Sequence, residues 1–359
     1  MLLTVAIALL MATPVTSDVA WAKRPIDPVK GLALAVSNLE NKVLQLSREY
    51  ANPVALVRRF PMQRRYIDAR VFFEMGNYEP AAILLHELTE RPAFKKGSEY
   101  EDALLLLGQC LAKLKNPRGA ERYLAMAAAG RYAKKADEAR YHLIEVLLDS
   151  RRIRQLRKAM ATMPPATSDR TRYAMGKAWV RLKQYSRALM LLLRIPSSDA
   201  NYLHSRYYYG VVLTAQKKYK EALKVFQAIA SAEVKTKRHR AARDLAYLAI
   251  GRLYYEIGKL SKAVAAYQKL VRKSPSYERA LYETAWTYIK GDRYKKALQV
   301  IDVLLLLVKD PRLSVRAHVL RGRLATLLAN YPKAVETYRK ILTRFAPIRN
   351  ELDHFMGDT

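Results

Sequence analysis

The apolar positions of this chain fall at helical spacing and return in one order: a small residue, a turn of apolar side chains, then Tyr or Leu with Ala three places on. The order reads Gly176…Tyr185–Ala188, Gly210…Tyr219–Ala222, Gly251…Leu260–Ala263, Ala285…Tyr294–Ala297 and Gly322…Tyr331–Ala334. The Tyr-or-Leu position recurs at 185, 219, 260, 294 and 331, in steps of 34, 41, 34 and 37 residues. A period near 34 predicts helical hairpins stacked into a solenoid, because one hairpin has an apolar face it cannot bury alone.

Packing explains each recurring residue. A Gly or Ala in the middle of the first helix lets its partner approach closely, and the Ala after the Tyr sits where the two helices cross. The large residue four further on (Phe226, Tyr267, Tyr338) is expected to fill the groove toward the next repeat. These rings read as core fillers rather than ligands.

The pattern divides the chain. Residues 23–65 are a linker followed by a helix over Val29–Tyr50, and 66–160 hold divergent hairpins. One of these carries Ala81, Leu85 and Leu88; the next sets Leu104, Leu107, Gly108 and Leu111 against Ala120, Leu124 and Ala127. A third unit is degenerate, since Arg151–Ala159 lacks the Tyr…Ala pair, and Met163-Pro164-Pro165 closes it. Residues 160–168 are therefore the expected break. Residues 169–345 form five regular units, Phe345-Ala346-Pro347 is expected to end the last helix, and 346–359 are a tail. The step of 41 places an insert at Glu233–Arg240, expected as a long loop.

Charge and the first residues add a partner class and a compartment. The chain holds 64 Lys+Arg against 32 Asp+Glu, a formal charge of +32, which attracts acidic partners without naming them. Leu2–Ala12 is an apolar run of 11 residues, too short to span a bilayer, followed by Pro14 and an A-x-A site at Ala20-Trp21-Ala22. Residues 1–22 read as a signal peptide with a periplasmic mature chain; an uncleaved anchor tethering it to the inner membrane, or a buried helix, are the alternatives. Val300–Val308 is too short to cross a membrane, so no transmembrane span is expected in the mature chain. The one cysteine, Cys110, permits no intrachain disulfide.

The residues Tyr247, Ile250, Gly251, Tyr254, Gly258, Leu260, Ala263, Tyr267, Leu270 and Pro275 follow the order of the tetratricopeptide repeat, and the resemblance covers about 66–345. It implies an all-α, right-handed superhelical solenoid of about seven or eight hairpins. It also implies a non-enzymatic scaffold whose concave groove binds a peptide or protein. The stretch Tyr282–Leu307 also resembles exported tetratricopeptide proteins of deltaproteobacteria, including gliding-motility envelope components. The asparagines of the family's carboxylate clamp are missing, which argues against a chaperone-tail receptor.

In such a solenoid the first helix of each hairpin lines the inner surface. Carried onto these repeats, the lining is Tyr173, Lys177 and Arg181; Tyr207; Arg252 and Tyr255; Tyr282, Trp286 and Lys290; and Arg323. Arg170 and Arg316 lie about a turn earlier on their helices and join it. Arg and Lys among Tyr and Trp suit an acidic peptide or envelope protein. The competing reading for each basic residue is a solvated helix face.

Basic clusters lie elsewhere, at Arg58, Arg59, Arg64 and Arg65, at Arg151, Arg152, Arg154, Arg157 and Lys158, and most densely at Lys235, Lys237, Arg238, His239, Arg240 and Arg243. The last suits anionic lipid or glycan, such as peptidoglycan or lipopolysaccharide. Nucleic acid is disfavoured, since no nucleic-acid module accompanies these runs. Nothing nominates catalysis, a metal or a cofactor. The six histidines make no H-E-x-x-H spacing, Cys110 sits on an apolar helix face, and no Gly-x-Gly phosphate loop is present.

Overall fold

The computed structural model describes residues 61–357 except Lys235. The leader, the helix expected over 29–50, Arg58, Arg59 and Lys235 lie outside the described residues. The chain divides into two compact units, Met1–Ile195 and Pro196–Thr359. In the first lie α1 (Pro61–Glu74), α2 (Tyr78–Glu90), α3 (Pro92–Lys95), α4 (Tyr100–Lys113), α5 (Pro117–Ala128), α6 (Ala133–Asp149), α7 (Ile153–Thr162), α8 (Asp169–Arg181) and α9 (Tyr185–Leu192). In the second lie α10 (Tyr202–Ala215), α11 (Tyr219–Ser231), α12 (Lys237–Glu256), α13 (Leu260–Tyr267), α14 (Tyr277–Lys290), α15 (Tyr294–Leu307), α16 (Pro311–Leu327) and α17 (Tyr331–Gly357). Setting the short α3 aside, these pair as eight antiparallel hairpins, four in each unit. The described fold is all-α and tetratricopeptide-like, as the periodicity predicts.

One turn joins the two helices of every hairpin. Its left-handed residue is Gly76, Lys115, Arg151, Lys183, Lys217, Gly258, Asp292 or Ala329 in chain order. Each donates its N–H to the carbonyl three residues back, and the next residue donates five back, as in Lys217 to Thr214 and Lys218 to Leu213. These paired bonds satisfy carbonyls that the ending helix leaves free. Only two of the eight are glycine, so six turns hold a side chain in a backbone region that disfavours one.

Seven residues before each turn comes the close approach of the two helices. A Cβ added to Gly251 would lie 2.3 Å from the Tyr267 ring, and one on Gly210 2.6 Å from Phe226. Gly108 meets Leu124, Gly176 meets Leu192, and Gly322 meets Tyr338 in the same way. The large rings thus close over the small residue of their own hairpin, sixteen positions earlier, rather than reaching only toward the next repeat. In α6·α7 the same two positions hold Ile144 and Met160, both buried, and Leu156 replaces the crossing Ala. Large groups at all three places keep these helices from the approach the others make, which is the physical content of the degenerate unit.

Residues 163–168 lie inside the first unit. Buried Asp137 of α6 accepts the Thr167 N–H at 2.9 Å and the Ser168 hydroxyl at 2.6 Å, and its carbonyl accepts the Thr171 hydroxyl at 3.1 Å. Ser168 also caps α8 by accepting the Thr171 N–H. Burial alone would raise the Asp137 carboxyl pKa, but the bonds from Ser168, Thr167 and Thr171 outweigh it and hold the group below the usual carboxylate range. The compact units part at Ile195/Pro196.

Two boundaries differ from expectation. α17 continues through Pro347, at the cost of one helical N–H. The dense basic cluster is not loop: Lys237, Arg238, His239, Arg240 and Arg243 form the first turns of α12. Thr236 starts that helix by accepting the His239 N–H at 3.1 Å, and Lys and Arg are good helix formers.

Candidate functional site

In the second unit one of the expected lining residues, Arg252, anchors an ion pair. Arg252 lies one residue past Gly251 on α12, and Glu283 lies two before Ala285 on α14. Between these helices Arg252 Nε donates to Glu283 Oε2 at 2.8 Å while a terminal nitrogen donates to Oε1. This two-pronged pair is largely buried, its side chains 15% and 18% exposed. Burial disfavours the Arg252 cation, but Glu283 more than offsets that and raises its pKa. Tyr207 of α10 and Tyr267 of α13 face the pair; burial first, and for Tyr267 then Glu283, push both phenols upward, so both stay neutral.

A second guanidinium stands beside this pair. Arg279 of α14 is half-buried and makes no hydrogen bond or ion pair among the described residues. Its pKa is pushed down, by burial and then by the Arg252 charge. Glu283 and Asp310 attract Arg279 through space, yet neither reaches it as a direct ion pair. Arg279 lies six residues before Ala285, the position that Arg170 and Arg316 hold before Gly176 and Gly322. That shared register was the signal for Arg279, which the sequence reading omits.

The other expected residues of this unit are placed as follows. Lys290 donates to the Tyr255 carbonyl at 2.9 Å and lies 4.2 Å above the Tyr255 ring. Tyr282 and Trp286 meet edge-to-face at 6.4 Å, half-buried against a core that includes Ala285 and Ile301. Tyr207 is buried against Phe226, and Arg316 and Arg323 are exposed. Lys237, Arg238 and Arg240 are exposed at the start of α12, while His239 and Arg243 are half-buried.

The first unit uses the same register differently. Lys177, one past Gly176, pairs with Glu145 of the preceding hairpin at 2.7 Å. Tyr173 is buried, Arg181 is half-buried, and exposed Arg170 stacks 3.9 Å over the Tyr141 ring. Asp149 shares this face; burial and then Glu145 raise its carboxyl pKa. Cys110 is buried, and loss of hydration pushes its thiol up to about 12. Among the described residues no group of His, Cys, Asp and Glu side chains is arranged to hold a metal ion. No described helix is long and apolar enough to cross a membrane.

Residues 248–313 match the family model for the tetratricopeptide repeat, and residues 156–229 match that for subunit 3 of the anaphase-promoting complex, or cyclosome. No curated protein matches the chain. Among solved structures, one from work on Pseudomonas aeruginosa pilF is similar at 20% identity over 63% of this chain and 99% of that one, with a TM-score of 0.43. The apo form of the quorum sensor NprR from B. thuringiensis is similar at 15% identity over 78% of this chain and 97% of that one, with a TM-score of 0.46. NprR in complex with its cognate peptide NprX is similar at 17% identity over 79% and 88%, with a TM-score of 0.44.

Proposed function

We propose that this protein is a non-enzymatic interaction scaffold that binds an acidic peptide or protein on the first-helix faces of its hairpins. The observation that carries the reading is Arg279, a half-buried guanidinium that stands beside the Arg252–Glu283 ion pair and makes no direct ion pair of its own among the described residues. A carboxylate from a ligand supplies a direct partner for it, and the half-buried Tyr255, Tyr282 and Trp286 rings of the same unit offer rigid apolar anchors. Arg170, Lys177 and Arg181 give the first unit a similar character.

The site of action we propose is the periplasm, reached through the leader at 1–22; the likeness of Tyr282–Leu307 to gliding-motility envelope components supports this placement. A second reading, attachment to an anionic glycan or lipid surface, is favoured by exposed Lys237, Arg238 and Arg240 at the start of α12. There they oppose the helix dipole, so an anion relieves them.

Affinity capture from cross-linked native cells, with N-terminal sequencing of the recovered chain, tests the proposal. A start at Lys23 and one dominant acidic envelope protein, lost in Arg279→Ala and Trp286→Ala, is the expected result. Retention of the same partner in both variants and its release by salt alone favour the surface reading instead. An uncleaved start with cytoplasmic partners overturns the envelope placement.

A further inference from the structure

The last hairpin, α16·α17, repeats the packing residues of α12·α13 almost position for position. Gly251, Arg252, Ala263, Val264 and Tyr267 correspond to Gly322, Arg323, Ala334, Val335 and Tyr338, with Leu248 and Leu270 replaced by Val319 and Ile341. In α12·α13 this set receives α14: Leu248, Ala263, Tyr267 and Leu270 bury Ala280 among them, and Arg252 takes Glu283. In α16·α17 nothing among the described residues covers it. Leu248 is 1% exposed and Val319 40%; Leu270 is 3% exposed while Ile341 is half-buried, and Val335 reaches 55%. Tyr331 at the start of α17 and Leu342 beside Ile341 are exposed as well.

Charge states what the covering group carries. Over 311–345 the basic residues are Arg312, Arg316, Arg321, Arg323, Lys333, Arg339, Lys340 and Arg344, against the one carboxylate Glu336. Glu336 is already paired with Lys340, and Arg321 and Lys333 pair with Asp302 of the preceding hairpin. Arg323 makes no ion pair or hydrogen bond among the described residues, although its counterpart Arg252 is saturated by a helix that follows it.

We infer that the outer face of α16·α17 is a docking surface for an amphipathic helix of a partner protein, one that sets small and apolar side chains on Val319, Val335 and Ile341 and a Glu or Asp on Arg323. Its chemistry is that of α14, in which Tyr277, Ala280 and Glu283 fall on one stripe at helical spacing. None of the residues of this face belongs to the Arg279 cluster, so the inference stands whether or not that cluster binds a peptide.

The test uses the whole chain and a fluorescent synthetic peptide of its own α14 sequence, residues 275–292, read by anisotropy. Saturable binding is expected, weakened at least about ten-fold by Arg323→Glu and by Val335→Asp. A peptide carrying Glu283→Lys is expected to regain binding to the Arg323→Glu protein. Circular dichroism melts of both variants, altered at exposed sites, are expected to match wild type. Absence of saturation overturns the inference, as does binding indifferent to both substitutions. A concentration-dependent dimer in sedimentation that Arg323→Glu dissolves assigns the face to a second copy of the chain, which also overturns the partner assignment.

Discussion

Hairpins α12·α13 and α6·α7 share one register and fill it in opposite ways. The first sets Gly251 under Tyr267 with Ala263 at the crossing; the second sets Ile144, Met160 and Leu156 at those places. Both are joined to the following hairpin by an ion pair, Arg252–Glu283 and Glu145–Lys177, and the second adds Asp137 bonded to a capping serine. A solenoid therefore tolerates a hairpin with bulky groups at its crossing where further polar bonds tie it to its neighbour.

Substitutions in the two hairpins test this contrast. Gly251→Val forces bulk into a crossing built around a ring 2.3 Å from the added atom, and is expected to cost about 3 kcal/mol or more in urea denaturation. The reverse change, Ile144→Ala, leaves a cavity under Met160, and a comparable loss of about 2–4 kcal/mol would show that α6·α7 is packed rather than loose. If Gly251→Val is tolerated, the close approach is not what holds α12·α13.

Arg252→Met removes both hydrogen bonds to the largely buried Glu283 and leaves Arg279 as the cation beside it, an expected cost of about 2–3 kcal/mol, toward the low end for a broken buried pair. The double variant with Glu283→Leu should recover most of it. An unrecovered double variant would mean the pair contributes more than mutual compensation.

Asp137→Asn addresses the other seam, with an expected loss of about 1–2 kcal/mol at neutral pH. The folded pKa of Asp137 is depressed, so its contribution is full above the unfolded carboxylate pKa and fades as pH falls through the folded value. Wild type and Asp137→Asn should converge in stability in that acid range. Parallel curves across it would refute the assignment.

The smallest effects concern the turns. Arg151 holds a φ of 56° where Gly258 holds 76°. Arg151→Gly is expected to stabilise by about 0.5–1 kcal/mol and Gly258→Ala to destabilise by about 1 kcal/mol, measured by thermal melts. Effects of equal sign would show that the backbone strain is absorbed elsewhere.

Much of this arrangement was legible in the sequence. The Tyr–Ala pairs and the small mid-helix residues located five hairpins, because glycine under a large ring leaves a fixed spacing. The third hairpin was obscured since Ile144 and Leu156 hide that spacing while keeping a helix. A capping Thr236 leaves no mark on the hydrophobic period, so the basic residues after it read as a loop. The partner of Arg252 was beyond periodicity altogether: Glu283 sits at a different register from Glu145, which serves Lys177, and only the placed helices bring each acid to its base. Of the expected lining, Tyr173, Lys177 and Tyr207 are buried, because the helical spacing that points a side chain inward also points it at the neighbouring hairpin.

The sixteen-residue separation between each small residue and the ring above it bears on how the chain acquires its structure. A hairpin closes over its own short loop, and the seams described above join residues only some thirty positions apart, as in Arg252–Glu283 at 31 and Lys177–Glu145 at 32. Contacts this local keep the entropy of loop closure small, which favours rapid folding. A chain so wired can assemble during synthesis, each hairpin settling on the last while the ribosome is still extending the next.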